Sequence, residues 1–474
     1  MSEILTPDLC VIGAGSGGLS VVAAAAAMGV PVVLVEKGEM GGDCLNYGCV
    51  PSKALIAAGH AAQTMREGDK FGIHAIEPRV DMGKVHDHVH GVIAAIAPND
   101  SEARFTAMGV KVIRAAGKFI SKDTLEADSF QVQARRFVIA TGSSAATPPI
   151  AGLDQVRFFT NETIFELNEL PSRLIIIGGG PIGMELAQAF RRLGADVIIL
   201  EGAQALSRED PELAQVAIAQ LCAEGVDIRE NIKIARIEAR GSGARVLLAG
   251  HDIEETIDGS HLLIAAGRNP NVHNLGLEQA SVQFDRKGVK VSKSLRTSNR
   301  RIYAIGDVTG EAAFTHAANY HAGLVLRATL FRLSVKLEPR LIPRVTYTDP
   351  EIAVAGLSEA QARATHGHVN IYRWPFSEND RAQAEHAVSG HIKIVASAKD
   401  VILGAGIAGR HAGELIGLWQ LAITKGMKVQ DIAGMVLPYP TLSEVSKRAA
   451  ATHYQKNLGN PWLGTILRFL RKFD

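Results

Sequence analysis

Three features of the sequence predict an α/β protein with two Rossmann-type dinucleotide-binding units and a C-terminal α+β domain. A strand, a glycine turn, a helix and a second strand follow one another over residues 8–36. The same pattern returns 165 residues later. From about residue 345 it gives way to short apolar segments of antiparallel character and one covering helix.

A chain of 474 residues has room for two to four domains. Its net charge of +1 leaves no basic footprint, so no nucleic-acid partner is expected. The opening apolar run lacks the basic start of a signal peptide, since the first lysine is Lys37. No stretch reaches the roughly 20 apolar residues of a membrane span. A cytoplasmic location follows as the expectation.

In the first unit, DLCVIGAG reads as strand and turn, SGGLSVVAAAAAMG as helix and VPVVLVE as strand. Gly13, Gly15 and Gly18 form GxGxxG: one glycine for the tight turn, one for close approach to a pyrophosphate, one for helix packing. Glu36 stands at the end of the next strand, where a carboxylate reaches a ribose hydroxyl, and Lys37 follows it. In LIIIGGGPIGMELAQAFRRLGADVIILE the counterparts are Gly178, Gly180, Gly183 and Glu201. Two such units imply two dinucleotides. The first leads directly into a cysteine loop, so its expected ligand is tightly held FAD, and the second should take the diffusible nicotinamide. Glu201 accepts from a free ribose 2′-hydroxyl and repels a 2′-phosphate, which favours NAD, while Arg191, Arg192 and Arg208 keep NADP as the alternative.

The cysteine loop is GGDCLNYGCVPSK, Gly41 to Lys53. In an ideal helix, residues five apart sit roughly 8.6 Å from each other. A disulfide tolerates only about 7 Å between Cα atoms. Joining Cys44 to Cys49 therefore demands an irregular turn, for which Gly48 and the pre-proline Val50 are the expected enablers. A bond closed in such a turn is readily reduced, and the pair reads as a redox-active dithiol. Zinc would want further soft ligands, yet Cys10 lies in an apolar strand pattern and Cys222 in a helical one.

Between the units, FVIATGSSAATPPIAG is a buried strand with a glycine turn and a proline-rich crossover, and LLIAAGRNPN repeats that ending after the second unit. IYAIGD then delivers Asp307 at a strand end, where it can bind hydroxyls of a flavin side chain. The expected domains are residues 1–149 and 271–344 for FAD, 150–270 for the nicotinamide, and 345–474 for dimerisation.

The motifs GGDCLNYGCVPSK, ATGS, GGGPIGMELA, AAGRNPN, IYAIGDV and YTDPE together resemble the flavoprotein disulfide reductases, the family of glutathione reductase, dihydrolipoamide dehydrogenase and mercuric reductase. The resemblance covers nearly the whole chain. It implies a homodimer with an active site completed across the dimer, Cys49 against the flavin, and Cys44 as the exchange thiol that meets a disulfide acceptor. It pairs Lys53 with Glu185 beside the reactive flavin nitrogen, where a positive charge stabilises developing negative charge. It also assigns cofactor binding to Lys37, Gly42, Asp43, Lys53, Gly117, Thr141, Gly142, Ser143, Ala317 and Gly267. One position departs. Where dithiol-using members read His-Pro-Thr with a glutamate following, this chain reads Tyr439-Pro440-Thr441, then Glu444. With a pKa near 10, about 0.1% of a phenol is ionised at pH 7. Loss of a general base costs about 10² to 10⁴ in rate, so dihydrolipoamide oxidation should be slow. Tyrosine here is similar to mercuric reductase, yet that enzyme's C-terminal cysteine pair is missing.

His86, His88 and His90, with Asp87, fall in a helical stretch read as a solvated polar face, with no metal site assigned. His316 and His321 follow the Asp307 loop. The basic tail, residues 460–474, is amphipathic, with Leu463, Ile466, Leu467 and Leu470 on one face and Trp462, Phe469 and Phe473 beside them. Packing against its own dimer is the plainer expectation, and peripheral membrane or protein docking the other.

Overall fold

The computed structural model describes residues 3–249, 255–311, 313–455 and 461–473. These form two compact units: the chain to Gly202 together with Val226–Pro339, and Ala203–Gly225 together with the chain from Arg340.

In the first unit, Leu9–Ile12 (LCVI) and Val32–Val35 (VVLV) are apolar at every position and buried throughout, as strands covered on both faces must be. They belong to a five-stranded, wholly parallel sheet ordered Ile302–Ala304, Arg136–Ile139, Leu9–Ile12, Val32–Val35, Lys111–Ile113. Leu9–Ile12 is its central strand, and its successors in the chain lie on opposite sides. The turn after it therefore opens at a switch point, where α/β sheets bind ligands. A second parallel sheet is ordered Asp227–Arg229, Asp196–Leu200, Arg173–Ile177, His261–Ile264 and repeats this arrangement around Arg173–Ile177. The helices Cys49–Arg66 and Pro181–Leu193 cross where Gly59 faces Ala189. A Cβ on Gly59 would lie 3.1 Å from the Ala189 carbonyl oxygen, so glycine lets the two backbones come this close.

The second unit is built on a five-stranded antiparallel sheet ordered Arg344–Thr346, Glu351–Gly356, Ile402–Gly409, His391–Ser397, Val369–Pro375. The helix Ala412–Lys425 covers it through Trp419, which is fully buried and donates its indole N–H to Ser446 Oγ at 3.0 Å. A further helix, Pro211–Ala223, lies against the same sheet, with Leu213 seated over Gly406. A Cβ at Gly406 would meet Leu213 Cδ1 at 2.4 Å. The nearly buried Lys393 ammonium fixes this helix by reaching Asp210, Glu212 and Glu359 at 2.8, 2.7 and 2.9 Å. Ala203–Gly225 thus belongs to the second unit, although it lies inside the span 150–270 expected for the nicotinamide domain.

Among the described residues, no helix is long and apolar enough to cross a membrane. The helix Pro461–Leu470 exposes Trp462, Ile466, Leu467, Phe469 and Leu470. Asn460, Asp474 and the Leu463 side chain lie outside the described part of the tail.

Candidate active site

The two glycine turns repeat each other closely. Gly13 (φ +107°) and Gly178 (φ +116°) both take a conformation open to glycine, and a Cβ on either would strike a carbonyl oxygen, Ala140 at 2.4 Å or Ala265 at 2.5 Å. A Cβ at Gly18 or Gly183 would fall 1.9 or 2.0 Å from the carbonyl oxygen of Gly13 or Gly178. Each acid is tied to its turn: Glu36 accepts from the Ala14 N–H at 2.5 Å, and Glu201 from the Gly179 N–H at 2.6 Å. The helices Ser16–Ala27 and Pro181–Leu193 then begin at Gly15 and Gly180 with no side-chain cap and no acid in the first turn. Unsatisfied N–H groups at the positive end of a helix suit an anion. Both turns therefore fit a dinucleotide pyrophosphate.

The cysteine loop folds back on the first turn. Gly41 (φ +88°) and Gly42 (φ +60°) make the return, and a Cβ at Gly42 would lie 2.7 Å from Gly15 Cα. Cys44 sits on the short helix Gly42–Asn46, and Cys49 opens the helix Cys49–Arg66. Of the two residues expected to be irregular, Gly48 is and Val50 is not. Tyr47 (φ −138°) ends the first helix, Gly48 (φ −127°, ψ −109°) precedes the second, and Val50 is already helical. Gly48 is required by crowding rather than by positive φ, because a Cβ there would sit 2.9 Å from two Asp43 oxygens. Both cysteines are thiols in the structure. A hydrogen bond from the Cys44 thiol pulls Cys49 down to about 6, with the Thr315 hydroxyl at 3.4 Å and the charge of Lys53 acting in the same sense. The same bond, together with burial, pushes the Cys44 thiol well up.

One helical turn beyond Cys49, Lys53 Nζ lies 2.7 Å from Glu185 Oε2, the carboxylate being nearly buried. The close crossing at Gly59 carries the pair, since it sets the Lys53 helix against the helix that follows the second glycine turn. Asp307, whose carboxyl is raised by burial, accepts from Ser143 Oγ at 2.6 Å. Arg268 joins this group to the cysteine loop: its guanidinium donates to Ser143 Oγ and to the Ser143 carbonyl, both at 2.7 Å, and stands 3.1 Å from Asp43 Oδ1. Asn161 donates to Asp43 Oδ1 at 3.0 Å and to the Tyr47 carbonyl at 3.1 Å. Arg268, Asn161 and Thr315 were not singled out from the sequence; only Arg268 had a signal, as a member of the AAGRNPN motif.

Two family models cover the chain: pyridine nucleotide-disulphide oxidoreductase over residues 7–322, and the dimerisation domain of the same family over 342–450. The chain belongs to this family. It is 34% identical to dihydrolipoyl dehydrogenase of Geobacillus stearothermophilus, over 94% of this chain and 95% of that one. It is 33% identical to mercuric reductase of Bacillus cereus, over 94% of this chain and 71% of that one. Among solved structures, LpdA from Mycobacterium tuberculosis superposes with a TM-score of 0.86 at 26% identity, covering 95% and 99% of the two chains. The flavoprotein disulfide reductase RclA from Escherichia coli, in a Cu(II) complex, gives 0.83 at 26%, covering 94% and 99%. This oxidoreductase is accordingly an FAD- and NAD(P)H-dependent flavoprotein acting on a sulfur group, and its dimerisation domain makes it a homodimer.

Thr141 Oγ1 donates to the Asn271 carbonyl at 2.8 Å, and Gly142 (φ +66°) and Gly267 (φ +127°) have open space where a side chain would be. Gly117 and Ala317 are buried, while Lys37 is exposed beside Glu36. In the second unit, Tyr439 is 68% exposed and donates its hydroxyl to Asp380 Oδ2 at 2.8 Å, which raises its pKa above the usual phenol value. A phenol so held donates a hydrogen bond and does not take a proton near neutral pH. Glu444 begins the helix Glu444–Ala451. His321 is fully buried and accepts from the Gly306 N–H at 3.1 Å, whereas His316 is exposed and stacks on Phe314.

Proposed function

We propose that the oxidoreductase carries two electrons from NADH, through FAD, to the Cys44–Cys49 pair and on to a disulfide acceptor. The observation carrying this reading is the thiol pair folded back on the first glycine turn, with Gly42 against Gly15, Thr315 Oγ1 3.4 Å from Cys49 Sγ, and the Cys49 thiol drawn down by its hydrogen bond from Cys44. FAD would be held by Gly13, Gly15, Gly18, Glu36, Gly42, Ser143 and Asp307, and the nicotinamide dinucleotide by Gly178, Gly180, Gly183 and Glu201. Together these cofactors supply the electron pair that reopens the disulfide.

The protein's own steps are thiol exchange. Cys44 passes its proton to the Cys49 thiolate as it attacks one acceptor sulfur; the acceptor S–S bond breaks and a Cys44 mixed disulfide forms. Cys49 gives that proton to the released thiolate and attacks the Cys44 sulfur, closing the Cys44–Cys49 bond and expelling the second acceptor thiolate. The dithiol is oxidised by two electrons and the acceptor is reduced by two. Thr315 and Lys53 favour the Cys49 thiolate throughout. Tyr439, whose hydroxyl proton goes to Asp380, supplies no base, and the absence of a base there slows dihydrolipoamide turnover. Glu201 underlies the preference for NADH. The cytoplasm suits a dithiol that must be re-reduced each cycle.

Anaerobic NADH titration tests the reading. Two electrons should open the disulfide and give thiolate-to-flavin charge-transfer absorbance, which is lost as pH falls through about 6 because Cys49 then takes up its proton. Reduced enzyme with both cysteines still disulfide-bonded and no such absorbance would sink it.

A second reading, reduction of metal ions or quinones, is motivated by Tyr439 and by the likeness to RclA in its Cu(II) complex. Turnover with lipoamide, Hg²⁺, Cu²⁺ and quinone, repeated in Tyr439→His, separates the two. A lipoamide gain of about 10² or more supports a missing base. No gain, with metal or quinone turnover dominant, favours the second reading. The exposed aromatic residues of Pro461–Leu470, with Arg468, Arg471 and Lys472, supply a docking surface for a membrane or protein partner. Deleting residues 460–474 should then abolish recovery with membranes or a partner.

A further inference from the structure

Away from the dithiol, the histidine-rich helix Met82–Ile96 and the short turn Ile164–Glu166 bring three nitrogen and oxygen donors together. His86 and His90 are one helical turn apart, and their ring centroids lie 4.1 Å from each other. Glu166 Oε1 stands 3.6 Å from His90 Nε2. That distance is too long for a hydrogen bond, and His90 Nε2 is sealed from water with no hydrogen-bond partner. One donor atom from each of the three residues lies within 4.8 Å of the others. Asp87 Oδ1, 3.5 Å from His86 Nδ1, adds negative charge beside them.

We propose that His86, His90 and Glu166 form a binding site for a divalent first-row transition ion of the Zn²⁺ type. Two imidazoles and a carboxylate are the donor set such ions take, with a fourth position left to water. Bond lengths of about 2.0–2.1 Å put tetrahedral donors roughly 3.4 Å apart. The His90–Glu166 edge already approaches that separation. The Glu166 side chain is 62% exposed and so has room to adjust toward the two imidazoles. An ion here would relieve the unpartnered His90 nitrogen, which a solvated polar face does not explain. His88 points elsewhere and is exposed, so the helix supplies its own control.

The site also has a place in the architecture. Glu166 ends a segment whose Asn161 bonds the Asp43 carboxylate and the Tyr47 carbonyl of the cysteine loop. A bound ion would tie that segment to the histidine helix, giving the loop a second anchor outside the dithiol itself.

Zinc titration of the FAD-loaded dimer tests this, after chelator treatment and with the reduced thiols alkylated so that they cannot hold metal. Calorimetry should show one Zn²⁺ per chain at roughly micromolar affinity or tighter. His90→Ala and Glu166→Gln should each weaken it at least about tenfold, with FAD content unchanged, and His88→Ala should not. Absence of micromolar binding, or binding indifferent to His90→Ala, would overturn the site. Should His90→Ala lose its FAD, His86→Gln and Glu166→Gln decide the question by the same measurement.

Discussion

The two glycine turns share one local geometry, yet the chain treats them differently once it has passed each acid. After Glu36 it comes straight back, and Gly42 packs so tightly on Gly15 that a Cβ at Gly42 would lie 2.7 Å from the Gly15 backbone. After Glu201 it departs: Ala203–Gly225 belongs to the other compact unit, and a Cβ on Gly180 would have nothing within 4 Å. The same anion-binding turn is thus roofed by its own chain in one copy and, among the described residues, left open in the other. A roofed turn suits a resident cofactor and an open one a coenzyme that comes and goes, so on the proposed assignment of FAD and nicotinamide the path of the chain beyond the motif would decide retention.

Replacing the roof gives the largest expected effect. Gly42→Val should yield protein without bound flavin, read from the visible absorbance per chain, because its Cβ has backbone on the far side and cannot be accommodated. Gly180→Ala should keep its flavin and raise the KM for NADH only severalfold, about 1 kcal/mol. Flavin loss from the second variant and not the first would reverse the comparison. Next comes Lys53→Met, at the junction of the two copies. On its proposed role in stabilising developing negative charge, removing this ammonium should lower kcat by about 10² to 10³ with flavin content unchanged. The departure after Glu201 is tested by Lys393→Met, which leaves Asp210, Glu212 and Glu359 without their shared cation, though Arg373 and Arg363 still pair with the two glutamates, and should cost about 1–3 kcal/mol in denaturant unfolding. That cluster has its own acid limit. Its hydrogen bond from Arg373, with that from Lys393, draws the Glu212 carboxyl down to about 2, so the stability it contributes is present above 4.5 and drains away as pH falls toward 2. The smallest effect expected is that of Glu201→Ala, which should reduce the NADH-over-NADPH ratio of kcat/KM roughly tenfold, about 1.4 kcal/mol, while Glu36→Ala leaves the ratio alone.

What the sequence revealed was whatever depends on local spacing. Gly13, Gly15, Gly18 and Glu36 lie within one strand-turn-helix-strand, and their second copy needs only an offset to be found. Cys44 and Cys49 could be read as chemically special because no regular helix joins them. The location of the irregularity was harder, since the clash that demands glycine at Gly48 comes from Asp43, whose side-chain direction is not legible beforehand. Arg268, Asn161 and Thr315 reach the cysteine loop from more than a hundred residues away, and only Arg268, within AAGRNPN, carries any local mark. Nor could the helix Pro211–Ala223 be assigned to its sheet: its buried residues Leu213, Ala214, Ala217 and Leu221 declare an apolar face, but not which surface that face covers. Glu166 belongs to the same class, its relation to His86 and His90 arising only when a distant turn is folded beside the helix.

The contact at Gly59 has a mechanical meaning. With main chain touching main chain at 3.1 Å from a would-be Cβ, the helices bearing Lys53 and Glu185 have no cushion of side chains to slide on. A hinge between the two nucleotide sheets would have to break this seam before it could open. With the nicotinamide coenzyme at the second turn, as proposed, its exchange would then proceed by small movements at the mouth of that turn, with the ammonium and carboxylate held in place.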